Sequence, residues 1–251
     1  VNLRPDQILP EQLRNCRTCP AARGGICEGL GDEELSELSR IAHHRTVPAG
    51  RIIFSENERP EFFANILSGT VRLTKALADG RQQIVGILFP PDFLGRAHGA
   101  TNACFAEAAT EVELCCYPAE AFRNLMQRFP GLEHRLYEKT LDELDAARDW
   151  MVLLGRKTAR EKVASFMLVL ARRARKAGCA AQGDDEGVTF ELPLRRVDIA
   201  DYLGLTIETV SRQITRLRGE GLISAVGGGC MHAPSLTALA AAAGQDESGG
   251  S

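Results

Sequence analysis

No apolar run in this chain approaches the ~18 uncharged residues that a membrane-spanning helix requires. The opening residues, VNLRPDQILPEQL, also lack the charged-then-apolar plan of a secretory leader. The expectation is a cytoplasmic protein with no membrane partner. Nor does the chain have the apolar poverty of a disordered polypeptide: of 251 residues, 44% are hydrophobic and 25% charged, enough for a buried core and two domains with a connector. A large net charge is missing too, since the formal value is −3, but the balance is uneven. Residues 148–223 carry fourteen Lys and Arg against ten Asp and Glu, so this stretch stands at +4 and the remainder at −7. The positive end is the one suited to meet a polyanion. Cysteine, by contrast, is plentiful, with eight residues. In a reducing compartment that count does not read as a disulfide framework, and a cluster of cysteines points first to metal binding or redox chemistry.

The chain divides into five stretches. Residues 1–29 are cysteine-rich and contain CRTCPAARGGIC. Leu30 and, in the GDEELSELSRIAHHRTV that follows it, Leu35, Leu38 and Ile41 fall at helical spacing with Asp32 as the expected N-cap, which predicts a short helix ending near His43 and His44. Short β-rich runs then fill Pro48 to Pro118, among them RIIF, FFANILSG, QQIVGILF and EVELCCYP, separated by turn signals. They predict an antiparallel barrel or roll within residues 30–130. Helical spacing returns in YPAEAFRNLMQRFP and continues through residues 131–156. There Tyr137, Thr140, Leu144, Ala147, Met151 and Leu154 follow alternating steps of three and four, a coiled-coil seam that predicts a homodimer. A further helix, TAREKVASFMLVLARRARKAG, precedes a loop containing QGDDEG and opens the last domain, residues 157–236. The tail, residues 237–251, is small and polar at its end and reads as flexible.

The most specific stretch is VDIADYLGLTIETVSRQITRLRGEGLI, residues 197–223. One helix, Val197 to Leu203, stops at Gly204, whose missing Cβ permits a tight left-handed turn. Thr206 caps a second helix that buries Ile207, Val210, Ile214 and Leu217 and leaves Glu208, Thr209, Ser211, Arg212 and Thr215 outside. A recognition helix presents such side chains to base edges in the major groove, so double-stranded DNA is the expected partner. Arg212 has the donor pair for guanine, and Glu208 accepts from a cytosine amino group. Arg195, Arg196, Arg216 and Arg218 suit phosphates or a solvated surface. GEGLISAVGGGCMHA follows as a candidate β-hairpin wing.

At the other end, Cys16, Cys19 and Cys27 offer three soft thiolates, which select an iron–sulfur cluster or zinc. A fourth ligand has to come from elsewhere. Alternation along EVELCCYP turns Val112, Leu114 and Cys116 to the core, and Glu111, Glu113 and Cys115 outward, where the N-terminal loop can lie. A thiol-redox protein using CRTC as an exchange pair is a further alternative, but the thioredoxin-like βαβ surroundings of such pairs are missing. Cys104, Cys116, Cys179 and Cys230 are read as packing residues or ordinary thiols, and His43 and His44 are given no role.

A β-rich sensor, a long dimer helix and a C-terminal winged helix-turn-helix together resemble the cyclic-AMP receptor protein superfamily of transcription regulators, over residues ~30 to ~235. The fold class implied is α+β: a cyclic-nucleotide-binding-like antiparallel β-roll, a dimerisation helix and a winged helix-turn-helix domain. CRTCPAARGGIC and LTIETVSR resemble the oxygen-sensing fumarate-and-nitrate-reduction (FNR) branch, in its α-proteobacterial form. That branch places its fourth ligand three residues before a proline, so Pro118 points to Cys115. The resemblance implies a [4Fe-4S] cluster on Cys16, Cys19, Cys27 and Cys115, with zinc as the alternative. It further implies that Glu208, Ser211 and Arg212 read a palindromic TTGAT-type site, and that RNA polymerase is a partner and no reaction is catalysed. Cyclic nucleotide is not expected, because FLGRAHGATNACFAEAATEVE has neither the family's Glu after its Gly nor an Arg-Ser pair, and Arg96 does not replace them.

Overall fold

The computed structural model describes residues 16–176 and 187–245, which form two compact units divided between Asp145 and Ala146. Cys179, most of the QGDDEG loop and the last six residues of the chain lie outside the described residues.

In the first unit, helix α1 (Asp32–Ile41) buries Leu35 and Leu38 and carries Asp32, Glu33 and Glu34 in its first turn, where the helix dipole favours anions. The N-cap is Gly31, not Asp32, and the Glu34 carboxylate reaches back to accept the Gly31 N–H at 2.8 Å. Eight strands follow: β1 (His43–Val47), β2 (Ile52–Phe54), β3 (Phe62–Ser68), β4 (Val71–Ala76), β5 (Gln82–Leu88), β6 (Phe93–Leu94), β7 (Phe105–Ala108) and β8 (Val112–Pro118). They make two four-stranded sheets, ordered β1-β8-β3-β6 and β2-β7-β4-β5, with antiparallel pairing throughout, so the predicted roll is present. His43 and His44 do not end a helix; they open β1, opposite Cys116 and Cys115, and are exposed.

Strand β8 pairs on both edges, with β1 and β3, and its two faces serve different cores. Val112, Leu114 and Cys116 are fully buried in the roll interior with Ile66 and Val71. Cys115 and Tyr117 face the opposite way, into a second cluster shared with Phe63, Phe122 and Ile26. The expected parity is therefore correct, but Cys115 is not an outward-facing residue: it is buried at 8% exposure, because the N-terminal loop and helix α2 (Ala119–Arg128) cover that face. Phe122 on α2 meets Phe63 edge-on at 5.5 Å and stacks on Phe93 at 5.6 Å. Burying a side chain of this size stabilises by about 1.5–3 kcal/mol. Helix α3 (Pro130–Arg156) begins by adding Leu132 and Leu136 to the same cluster.

The second unit contains the end of α3, then α4 (Ala159–Lys176), β9 (Val188–Glu191), α5 (Arg196–Leu203), α6 (Ile207–Gly219), β10 (Ser224–Gly227), β11 (Cys230–Ala233) and α7 (Leu236–Ala242). The wing is a three-stranded sheet, β10-β11-β9, so the predicted hairpin gains a strand from the sequence before α5. Trp150 near the end of α3 stacks on Tyr202 of α5 at 4.0 Å, and Phe166 of α4 meets Tyr202 edge-on at 5.8 Å. The tail expected to be flexible from residue 237 is ordered further than its composition implied. Ser235 caps α7 by accepting the Ala238 N–H, and Leu239, Ala242 and Ala243 are buried against α4. Alanine is the best helix former and lets two helices approach closely, so a run that looks simple in composition is structurally specific. Lys157 fixes its end by donating to the Ala243 carbonyl at 2.8 Å.

Candidate functional site

The cysteine loop is wound tightly by local hydrogen bonds. The Cys19 N–H donates to Cys16 O at 3.3 Å and the Ala22 N–H to Cys19 O at 3.0 Å, so the CxxC pair sits on consecutive turns leading into a 3₁₀ turn, Pro20–Ala22. Ala21 and Ile26 are buried and anchor the loop to the roll. Gly25 has no room for a side chain, since a Cβ there would lie 2.6 Å from Ala21 O. This winding brings the half-buried Cys16, Cys19 and Cys27 over the strand face that carries Cys115.

The four predicted cysteines come within electrostatic reach of one another. Burial pushes the Cys27 thiol up to about 12; a hydrogen-bonding contact with Tyr117 opposes this, and Cys115, Cys19 and Cys16 add to the rise. Cys115 is pushed up to about 11, again by burial first, with contributions from Cys19 and Cys16. Cys16 is raised by burial and by Cys19. Burial raises Cys116 to about 11 as well, so these shifts report burial and do not distinguish ligands from packing thiols. An exchange pair needs a lowered thiol pKa, and Cys16 moves the opposite way. Among the described residues, no three His, Cys, Asp or Glu side chains converge closely enough to hold a single metal ion.

Three residues at this site were missed from sequence. Asn65 on β3 is fully buried and donates through Nδ2 to the Tyr117 hydroxyl at 2.9 Å and to Cys27 Sγ at 3.5 Å. Tyr117 in turn accepts from the Cys115 thiol at 3.4 Å. The signals were present: Asn65 is a lone amide in the apolar run FFANIL, and Tyr117 shares a strand face with Cys115. Arg135 on α3 is the third. Its Nε donates to Gly25 O at 3.4 Å and its guanidinium pairs with Glu28, so the cysteine loop is tied to the start of the long helix.

Along α3 the seam residues lie on the surface of the chain. Tyr137, Leu144 and Met151 are 60%, 45% and 73% exposed, Thr140 and Ala147 are exposed, and Leu154 is half-buried. The apolar stripe is wider than the heptad alone, because Leu141 and Val152 are also exposed. The Thr140 hydroxyl donates to Leu136 O at 2.9 Å.

In the helix-turn-helix, Gly204 adopts φ 61°, ψ 45°, the left-handed conformation expected of it, and Thr206 accepts the Thr209 N–H. Val210, Ile214 and Leu217 are buried, but Ile207, the first residue of the helix, is 44% exposed. Glu208, Ser211, Arg212 and Thr215 are exposed and Thr209 half-exposed. Thr215 spends its proton on Ser211 O at 3.0 Å, so toward a partner it can only accept. Backbone hydrogen bonding at the helix start, together with Thr206, holds the Glu208 carboxyl below the usual range and keeps it an acceptor.

Residues 44–129 match the cyclic nucleotide-binding domain family, and residues 161–242 match the Crp-like helix-turn-helix domain family. Over 242 residues the chain is 41% identical to the transcriptional activator protein FnrL of Cereibacter sphaeroides, covering 96% of this chain and 97% of that protein. The chain belongs to the CRP/FNR family of transcription regulators. It is 40% identical to the nitrogen fixation regulation protein FixK of Bradyrhizobium diazoefficiens, over 90% of this chain and 94% of that one. The solved structure of FixK2 from Bradyrhizobium japonicum aligns with a TM-score of 0.71 at 32% identity, covering 79% of this chain and 96% of that chain. As a CRP/FNR protein the chain is a DNA-binding regulator and not an enzyme, which removes the thiol-exchange alternative. No helix among the described residues is long and apolar enough to cross a membrane.

The packing of the loop predicts that Gly25→Ala unseats it, since the new Cβ meets backbone and not a flexible side chain. In metal-free protein, Cys27 should be alkylated several-fold faster in this variant while the thermal transition of the second unit is unchanged. Mass spectrometry of the labelled peptide measures it.

Proposed function

We propose that this chain is an oxygen-responsive transcriptional activator of the FNR and FixK type, whose Cys16, Cys19, Cys27 and Cys115 hold a [4Fe-4S] cluster in the absence of oxygen. The observation that carries this reading is the gathering of three loop thiols over a buried fourth, within electrostatic reach of one another. When bound, the cluster supplies an oxygen-labile centre that couples the loop to the roll. The chain's own residues pass the loop's state onward. Ile26 packs in one cluster with Leu132 and Leu136, and Arg135 grips Gly25 and Glu28, so an ordered loop supports the first turns of α3. Helix α3 then pairs with its copy along Tyr137, Thr140, Leu144, Ala147, Met151 and Leu154, widened by Leu141. A two-fold dimer presents two α6 helices to a palindromic, TTGAT-type site, with Glu208, Ser211 and Arg212 on base edges and Thr209 and Thr215 beside them. RNA polymerase is the protein partner an activator requires. Cyclic nucleotide has no part in this scheme.

Anaerobic purification with iron, sulfide and absorption measurements tests the cluster. A colourless protein carrying zinc would replace it with a structural zinc site. Cys115→Ser should abolish both the cluster spectrum and anaerobic operator binding, whereas Cys116→Ser, on the interior face of β8, should retain the spectrum. At the DNA end, Arg212→Ala should lose base discrimination of about 1–3 kcal/mol per half-site while non-specific affinity largely survives, read from binding isotherms on operator and random DNA.

The seam adds a prediction of its own. Ala147 fills little space between large apolar neighbours. Ala147→Leu should strengthen the dimer by roughly 1–3 kcal/mol per chain and allow operator binding in air, checked by sedimentation of the cluster-free protein. A tight aerobic dimer of the unmodified chain would instead require the sensor to act by reorienting the DNA-binding units.

A further inference from the structure

Asn65 is a fully buried amide whose Oδ1 has no hydrogen-bond partner, in a protein interior where such atoms are nearly always paired. Its Nδ2 is fully used, one proton directed to the Tyr117 hydroxyl oxygen at 2.9 Å and the other to Cys27 Sγ at 3.5 Å. Tyr117 lies 3.4 Å from Cys115 Sγ and 3.9 Å from Cys27 Sγ. Donors therefore converge on two sulfurs while an acceptor is left stranded. With neutral thiols this is a poor arrangement, because Sγ–H groups are themselves donors and compete with the amide and the phenol. With deprotonated sulfurs the competition is gone: Asn65 Nδ2 donates to Cys27 and to Tyr117, and Tyr117, its oxygen satisfied, turns its proton to Cys115, while Oδ1 alone stays unpaired.

We propose that Asn65 and Tyr117 form a buried donor chain that hydrogen-bonds the Cys27 and Cys115 sulfurs in their ligand-bearing state and sets how readily the bound centre is oxidised and lost. This rests on the [4Fe-4S] reading above. Both are positioning residues, since neither is a ligand. Hydrogen bonds to ligand sulfur withdraw electron density and raise the reduction potential of an iron–sulfur centre, and outer-shell partners of this kind also hold ligands in orientation. Their removal makes the centre easier to oxidise.

The test uses the full-length protein, purified anaerobically, as the unmodified chain and as the variants Tyr117→Phe and Asn65→Leu. Tyr117→Phe keeps the ring packed on Phe122 at 5.5 Å and removes only the hydroxyl. Asn65→Leu keeps side-chain size and removes donors and stranded acceptor together, so the metal-free fold should melt no lower than the unmodified one. All four cysteines remain, so iron and sulfide contents should match the unmodified protein. The expected result is a more negative midpoint potential in both variants and a several-fold faster loss of cluster absorbance in air, Asn65→Leu removing the hydrogen bond to Cys27 and Tyr117→Phe the one to Cys115. Cys116→Ala, on the opposite face of the same strand, should move the melting temperature but neither the potential nor the decay rate. Equal potentials and lifetimes across the set would overturn the donor chain while leaving the cluster in place. Absence of iron and sulfide from the unmodified chain would overturn the cluster reading itself, and the two failures are thereby separated.

Discussion

The first unit depends on the alternation of side chains along β8. A strand sends successive residues to opposite faces, and β8 is held in register by hydrogen bonds to β1 on one edge and β3 on the other. Leu114 and Cys116 fill the interior of the roll, and Cys115 and Tyr117 fill the cluster beneath the N-terminal loop. A slip of one residue would exchange the two cysteines and put Tyr117 inside the roll. The register is over-determined by burial on both sides, which makes a single adjacent pair of identical residues carry two different roles without ambiguity.

From that strand, the connection to α3 passes through contacts of unequal weight. The Arg135–Glu28 pair is partly exposed, 21% and 48%, and a pair of this kind contributes about 0–1 kcal/mol. Ile26 is fully buried among Phe63, Phe122, Leu132 and Leu136, and such burial stabilises by about 1.5–3 kcal/mol. The apolar contact therefore outweighs the ion pair in holding the loop against the helix. Gly25 joins the two effects, because its carbonyl meets Arg135 and its missing Cβ lets the loop close on Ala21.

How much of this could be read from the sequence follows from whether the deciding constraint is local. Strand parity at Cys115, the left-handed turn at Gly204 and the Thr206 cap are local, and they are where expected. The burial of Cys115 is not, since it depends on a loop nearly ninety residues earlier folding over β8. Asn65 escaped notice for the same reason: its partners, Tyr117 and Cys27, are 52 and 38 residues away. Helix α7 is not legible locally, because small residues look featureless until a neighbouring helix is there to receive them. Periodicity places Ile207 on the buried face, but it cannot tell an exposed first helical residue from a covered one.

On the proposed reading, the magnitudes decide whether this architecture can act as a switch. Moving a two-state equilibrium from 1:99 to 99:1 requires about 5.5 kcal/mol. The seam itself is uneven, with Met151 and Tyr137 offering large apolar area and Ala147 and Thr140 little, so pairing of bare helices gives no large surplus. A dimer contains two sensor loops. If each loop transfers the ~1.5–3 kcal/mol of a seated Ile26 to the start of α3, the pair supplies roughly 3–6 kcal/mol, on the scale the transition demands. A much stronger seam would hold the helices together whatever the loop did, and a much weaker one would leave the loops unable to close the gap. The poverty of apolar bulk at Thr140 and Ala147 is therefore the property that lets a small loop govern a long helix.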